Sequence, residues 1–201
     1  MPHLIAQMRE LALEDCIEQL RGAHDYLVTA AIDMLGVARH TDPEYWGSDV
    51  KRLRVTLPPS RPVLIQQDTH NFAEIVNQLA GLERMLDGLQ WFAPRWPGSR
   101  VDRCHPSTSS APGENDIILS NSTGLFRVEV FDIAGGTVTN DKLNKTLRTF
   151  GLEKGWVSGR RLLFVSASVA PKILPRTTNG RYHFAPLMQE VRTHVLELVH
   201  A

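Results

Sequence analysis

The sequence predicts an α/β protein in which a mixed central sheet is flanked by helices and preceded by an N-terminal helical extension. Two observations lead to this fold class. Apolar residues recur at helical spacing over residues 4–39, 71–90 and 185–199. Between the second and third of these segments, apolar runs of strand length lie on either side of a shorter helical segment, as expected when helices cover a sheet.

The composition is that of a globular chain. Of the 201 residues, 42% are hydrophobic and 22% are charged, which is enough apolar material to bury a core. No run of 18 apolar residues occurs, so we expect no membrane span. The first ten residues lack the pattern of a secretory signal peptide, so we expect a cytoplasmic location. Cys16 and Cys104 are then expected to be free thiols.

The N-terminal part is expected to form helix first and short strands afterwards. One apolar stripe runs along segment 4–39, made by Leu13, Ile17, Leu20, Leu27, Ala31 and Leu35. His24 falls on that stripe, where a histidine is more often a core residue than a ligand. Residues 52–57 alternate between apolar and polar side chains and predict a strand, and residues 63–66 predict a second one.

The remaining segments predict an α/β core over residues 67–201, which packs with the N-terminal helical segment and short strands of residues 1–66 into one compact unit. Its strongest helix has an apolar face at three- and four-residue spacing. An Asn-Ser-Thr-Gly sequence between two apolar strands predicts a hairpin. In order, the predicted elements are helix 71–90, strands 116–119 and 125–133, helix 141–150, the buried strand 162–169 and a closing helix 185–199.

Two acidic residues stand on the predicted hairpin. Asp116 opens its first strand, and Glu129 lies within its second strand. Because strand side chains alternate between faces, Glu129 and Phe131 project from the same side, and the hairpin brings Asp116 towards Glu129. Two converging carboxylates are ligands that Mg²⁺ accepts. A bound Mg²⁺ ion activates water and stabilises charge on a phosphate.

This arrangement resembles the PD-(D/E)XK superfamily of nucleases over about residues 71–169. In that family an acid begins one strand, a second acid follows on the next strand, and a lysine stands two residues beyond the second acid. Asp116, Glu129 and Phe131 occupy those positions here. The resemblance implies a restriction endonuclease-like fold, Mg²⁺ held by Asp116 and Glu129, and nucleic acid as substrate. Phe131 departs from the pattern because it cannot supply the charge of the lysine.

Three other residues are candidates for completing the site. Lys142 or Lys145, on the predicted helix 141–150, would supply the missing positive charge as a catalytic residue. Glu83 lies on the apolar face of helix 71–90. It is a candidate third metal ligand because some members of the superfamily carry a glutamate on the preceding helix. The alternative is that Glu83 sits at the edge of the apolar stripe and reaches water.

Charge is unevenly distributed along a chain whose formal net charge is zero. Residues 1–50 contain nine acidic and three basic residues, a net charge of −6, whereas residues 142–181 contain nine basic residues and one acidic residue, a net charge of +8. A basic stretch can neutralise phosphates. The alternative is a solvated basic face, or attraction between the two segments. The candidate nucleic-acid contacts are Lys142, Lys145, Arg148, Arg160 and Arg161.

Three functions are compatible with the sequence. The first is a Mg²⁺-dependent nuclease with a relocated lysine. The second is a catalytically silent relative that binds nucleic acid through residues 142–181. The third is a regulatory or immunity-type interaction module, whose acidic N-terminal helices contact a protein partner or a second copy of the chain. Phe131 weighs against the first function, the basic stretch favours the first two, and the acidic segment allows the third.

Overall fold

The computed structural model describes residues 7–35, 63–65, 68–70, 72–106, 115–131, 143–146, 150, 158–175, 177–178, 182–190 and 192–200. The strands are β1 (Met8–Ala12), β2 (Val63–Ile65), β3 (Asp68–His70), β4 (Arg100–Cys104), β5 (Ile117–Asn121), β6 (Gly124–Phe131), β7 (Arg160–Ser166), β8 (Thr177–Thr178), β9 (Tyr182–Gln189) and β10 (Thr193–His200). The helices are α1 (Leu13–Leu35), α2 (Phe72–Phe92), α3 (143–146) and α4 (Ala170–Ile173).

Eight of these strands form one mixed sheet in the order β1-β4-β5-β6-β7-β10-β9-β8, and β2 pairs with β3 separately. Within the large sheet, β6 and β7 run parallel, and the other neighbours run antiparallel. A parallel pair requires a crossover connection, and α3 lies within that connection. The predicted α/β class, with a mixed sheet and flanking helices, is confirmed.

The two faces of the sheet pack against different helices. On β6, Val128 and Val130 belong to a buried cluster with residues of α1 and α2. Phe131 belongs to a second cluster, which includes Leu143 of α3 and Ile173 of α4. Both faces are therefore covered around β6 and β7. This explains why six consecutive residues of β7 are buried, as the apolar run over residues 162–169 predicted.

The beginning of the chain differs from the predicted helix over residues 4–39. Residues 8–12 form β1, which pairs with β4 at the edge of the sheet, and α1 begins only at Leu13. Met, Glu, Leu and Ala favour helix locally, but pairing with a distant strand overrides that propensity. The short strand predicted near residue 63 is confirmed as β2, whereas the strand predicted over residues 52–57 lies outside the described residues.

The closing helix predicted over residues 185–199 is wrong, because this segment forms the β9–β10 hairpin. Strand β10 lies between β7 and β9, and its two faces enter different clusters: Val195 packs with the α1–α2 side, and Leu196 and Leu198 pack on the other side. The pairing with β9 also shifts register between Val195 and Leu196. A strand buried on both faces and interrupted by a bulge can imitate helical spacing.

The N-terminal elements join the same core as the predicted hairpin. Strand β1 is part of the sheet that contains β5 and β6, and buried residues of α1 and α2 share one cluster.

Within the described part of the chain, no helix is both long and apolar enough to cross a membrane.

Candidate functional site

The β5–β6 hairpin brings the two predicted acidic residues to the same end of its strands. Its register pairs Ile117 with Val128, so Asp116, directly before β5, lies next to the stretch of β6 that contains Glu129. The Oδ2 atom of Asp116 accepts a hydrogen bond of 2.8 Å from the backbone N–H of Val130. Both carboxylates are buried, with 5% and 6% of their residue surfaces exposed.

A hydrogen-bond relay, made of two successive hydrogen bonds through Asn115, connects Glu129 to Arg127 on the same strand. Asn115 Nδ2 donates a hydrogen bond of 3.0 Å to Glu129 Oε1, and Arg127 Nη1 donates one of 3.2 Å to Asn115 Oδ1. Arg127 and Glu129 alternate with Val128, so they share one face of β6. A nearby guanidinium and an amide donor offset part of the cost of burying two carboxylates.

Sequence reasoning missed this relay, although part of the signal was present. Arg127 precedes Glu129 by two residues, which places both on one face of a strand. Asn115 directly precedes Asp116, but nothing in the sequence indicates that its amide would bridge to the neighbouring strand.

The position that the superfamily fills with lysine is part of the hydrophobic core. Phe131 is fully buried and belongs to the cluster that contains Leu143, Phe150, Leu163 and Val165. Its side chain lies on the face of Glu129, as strand alternation predicted. The ring therefore packs beside the carboxylate pair without supplying charge to it.

The residues proposed to replace the lysine or to add a metal ligand have different outcomes. Lys145 is exposed on α3, and Lys142 lies outside the described residues, as does Arg148, a candidate nucleic-acid contact. Glu83 lies on α2, which packs on the face to which Val128 points, whereas Glu129 points to the opposite face. The structure therefore does not bring Glu83 to Asp116 and Glu129.

Arg160 is held on the α2 side of the sheet. Its Nε and Nη2 atoms donate to the two carboxylate oxygens of Glu197 at 2.6 and 2.7 Å, and its guanidinium lies 4.9 Å from the centre of the Trp96 ring. The hydrogen bonds to Glu197 raise the pKa of Arg160 above its ordinary value. Contact with a phosphate would have to compete with this ion pair.

Arg161 points to the opposite face and is fully buried. It donates to the backbone carbonyl oxygens of Phe150, at 3.0 Å, and Gly159, at 3.3 Å. Burial, and then the positive charge of Arg127, lower the pKa of Arg161. Arg161 therefore holds a connecting segment against the sheet and is not presented to a phosphate.

The carboxylate pair has the oxygen ligands that suit Mg²⁺. This ion is usually held by one or two carboxylates together with water and phosphate oxygens, in contrast to a closed cage of protein ligands. Within the ranges that the structure describes, no three His, Cys, Asp or Glu side chains are grouped to hold a metal ion. The donor chemistry of Asp116 and Glu129 is thus that of an ion whose remaining ligands come from water or substrate.

No protein-family model, curated protein or solved structure matches this chain. The function of the hairpin must therefore be judged from its own residues. These are the carboxylates of Asp116 and Glu129, the bridging amide of Asn115 and the guanidinium of Arg127.

Proposed function

We propose that this chain is a nuclease-like protein that acts on nucleic acid, with Mg²⁺ held by Asp116 and Glu129. The observation that carries the proposal is that Asp116 and Glu129 are both buried at one end of the β5–β6 hairpin, where Asp116 accepts a hydrogen bond from the N–H of Val130 and Glu129 accepts one from Asn115. The element order supports a restriction endonuclease-like fold, since α2, the hairpin, α3 and the parallel strand β7 follow one another as in the superfamily resemblance.

The side chains around the pair have distinct proposed roles. When bound, Mg²⁺ would activate water and stabilise negative charge on the scissile phosphate. Asn115 orients the Glu129 carboxylate through its amide hydrogen bond. Arg127 takes the electrostatic role of the lysine that Phe131 replaces, since its guanidinium lies on the same face of β6 as Glu129. Its role is charge stabilisation and not proton transfer.

Cleavage assays on the purified chain test this proposal. We expect Mg²⁺- or Mn²⁺-dependent cleavage of DNA or RNA that a chelator stops. Asp116→Asn and Glu129→Gln should each lower the rate about 100-fold or more, because changes outside the ligand set already cost 10- to 100-fold in metal affinity or activity. Glu18→Gln, a change at an exposed position of α1, is the matched control. Full activity of Glu129→Gln would rule out the assigned metal site.

A second candidate is a catalytically silent protein of the same fold, and one observation favours it. Phe131 is core, and hydrogen bonds within the protein already engage Asp116 and Glu129. Such a protein would bind nucleic acid without cleaving it, using Lys145 together with Lys142 and Arg148. Alternatively, a silent protein of this fold would bind a protein partner or a second copy of the chain through the acidic face of α1.

The salt dependence of binding to DNA or RNA distinguishes a silent protein that binds nucleic acid from one that binds a protein partner. Affinity for nucleic acid that falls as salt rises indicates phosphate contacts, and Lys145→Ala should then weaken binding similarly for all sequences. A matched control is Arg9→Ala, since Arg9 is also exposed but lies on β1, outside residues 142–181. Absence of cleavage together with absence of binding at low salt would favour the interaction module.

A further inference from the structure

A cavity of about 240 Å³ lies between α1 and α2, on the sheet face opposite the carboxylate pair. Its rim is open, since the side chain of Asp25 is 73% exposed, whereas the side chains of His24 and Glu83 at its floor are 4% and 0% exposed. The lining residues are Arg21, His24, Asp25, Glu83, Leu86, Asp87 and Gln90.

One polar atom at the floor lacks a hydrogen-bond partner. His24 Nε2 is buried, and within the described residues no donor or acceptor reaches it. The nearest carboxylate oxygen, Glu83 Oε1, is 3.7 Å away, which is too long for a hydrogen bond. Leaving such a group unsatisfied costs about 1–3 kcal/mol. A gap of this length leaves room for a third hydrogen-bonding group, a water molecule or a ligand, to bridge the two atoms.

The lining favours a cation as that third group. Three carboxylates, those of Asp25, Glu83 and Asp87, face one guanidinium, that of Arg21. Arg84 lies outside the lining and approaches two of these carboxylates from the protein side, with its Nη2 atom 3.4 Å from Glu83 Oε2 and 3.9 Å from Asp87 Oδ2. Even with Arg84 counted, carboxylates outnumber guanidinium groups. A ligand with positive charge and several N–H donors matches this excess.

We infer that the cavity binds a small alkylammonium group, with its nitrogen between His24 Nε2 and Glu83 Oε1. Because these atoms are 3.7 Å apart, one nitrogen can lie about 2.9 Å from both of them. Leu86 provides an apolar wall for the attached carbon atoms. The volume is below the roughly 300–1,000 Å³ of drug-sized sites, so the ligand is a short primary amine or the end of a lysine side chain.

The site does not depend on the function proposed for the hairpin. It lies on the other face of the sheet and uses neither Asp116 nor Glu129. It also joins His24 and Glu83, which no feature of the sequence places together.

A titration of the full chain, followed by NMR of the histidine ring resonances, tests the inference. We expect saturable shifts of the His24 resonances with ethylammonium, and none with tetramethylammonium, which has the same charge but no N–H donor. Glu83→Gln and Asp25→Asn should weaken ethylammonium binding by about tenfold and about threefold, respectively. Glu18→Gln, also on α1 but exposed and outside the lining, should leave it unchanged.

A second titration distinguishes a free amine from a lysine side chain as the source of the ammonium group. Acetyl-lysine-methylamide with a free ε-amino group should bind more tightly than ethylammonium if the natural ligand is a lysine side chain, and more weakly if it is a free amine. Equal shifts with tetramethylammonium, or no saturable shift with any amine, would overturn the site. Because Asp25 is exposed, Asp25→Asn remains informative if Glu83→Gln does not fold; full binding by Asp25→Asn would also count against the site.

Discussion

Phe131→Lys is the substitution that distinguishes a lost catalytic position from a core position. Phe131 is fully buried in the cluster on the α3 side of the sheet. Removing a buried phenylalanine ring costs as much as about 3–5 kcal/mol, and a buried ammonium adds several more unless it is paired. Glu129, on the same face, offsets part of this cost. We expect a net loss of at least about 3 kcal/mol, a large share of the roughly 5–15 kcal/mol that stabilises a domain.

Urea denaturation followed by tryptophan fluorescence measures this loss. Phe131→Leu is the matched control, because it keeps an apolar side chain and should cost only about 1 kcal/mol. We expect Phe131→Lys to have little or no cleavage activity at temperatures where the control remains folded. A lysine variant within about 1 kcal/mol of wild type that gains Mg²⁺-dependent cleavage would refute the assignment of Phe131 to the core.

Two further predictions concern packing and ionisation. An alanine Cβ at Gly88 of α2 would overlap the Phe164 ring, so Gly88→Ala should lower the free energy of unfolding by about 1–3 kcal/mol. Gly22 of α1 has open space around it, so Gly22→Ala should instead raise the free energy of unfolding by up to about 1 kcal/mol in the same denaturation assay. A hydrogen bond with Cys16, and then burial, raise the pKa of the Cys104 thiol above its ordinary value of 9.0. As pH rises, the Cys104 thiol therefore ionises in the unfolded chain before it does so in the folded chain, and the free energy of unfolding should fall as pH rises above 9. The fall should be smaller in Cys104→Ala. An equal fall in that variant would show that Cys104 is not its cause.

The hairpin that carries the carboxylates was predictable because its signals are local. The Asn-Ser-Thr-Gly sequence predicted the turn, and β5 and β6 pair directly on either side of it. Once the hairpin is known, strand alternation places Glu129 and Phe131 on one face, and the register places Asp116 at the end of the hairpin that contains Glu129. The core location of Phe131 depends on α3 and β7 and was only one of several outcomes open at the sequence level.

Two strands, β1 and β10, were not predicted from the sequence, for different reasons. Strand β1 pairs with β4, and β4 itself was not predicted, because three of its five residues, Arg100, Asp102 and Arg103, are charged. Such residues are tolerated near the edge of a sheet, where their side chains reach water. Strand β10 is buried on both faces, so its apolar residues do not alternate with polar ones.

Tertiary packing also determines which charged side chains are exposed and which of them lie close together. Arg161 has the same local sequence signal as a surface base, but the fold buries it fully and it donates to two backbone carbonyl oxygens. His24 and Glu83 are 59 residues apart, and the packing of α1 on α2 brings them within 3.7 Å. No spacing rule in the sequence links these two residues.

Paramagnetic broadening by Mn²⁺ tests the central claim most directly, namely that Asp116 and Glu129 share a metal ion. Asn115 donates a hydrogen bond to Glu129, so Mn²⁺ at the pair should broaden the side-chain amide resonances of Asn115. Asn121, at the other end of β5 and about 20 Å away by strand length, should stay sharp. We predict that Glu129→Gln abolishes the broadening at Asn115. Sharp Asn115 resonances at saturating Mn²⁺, or equal broadening at Asn121, would contradict the metal site.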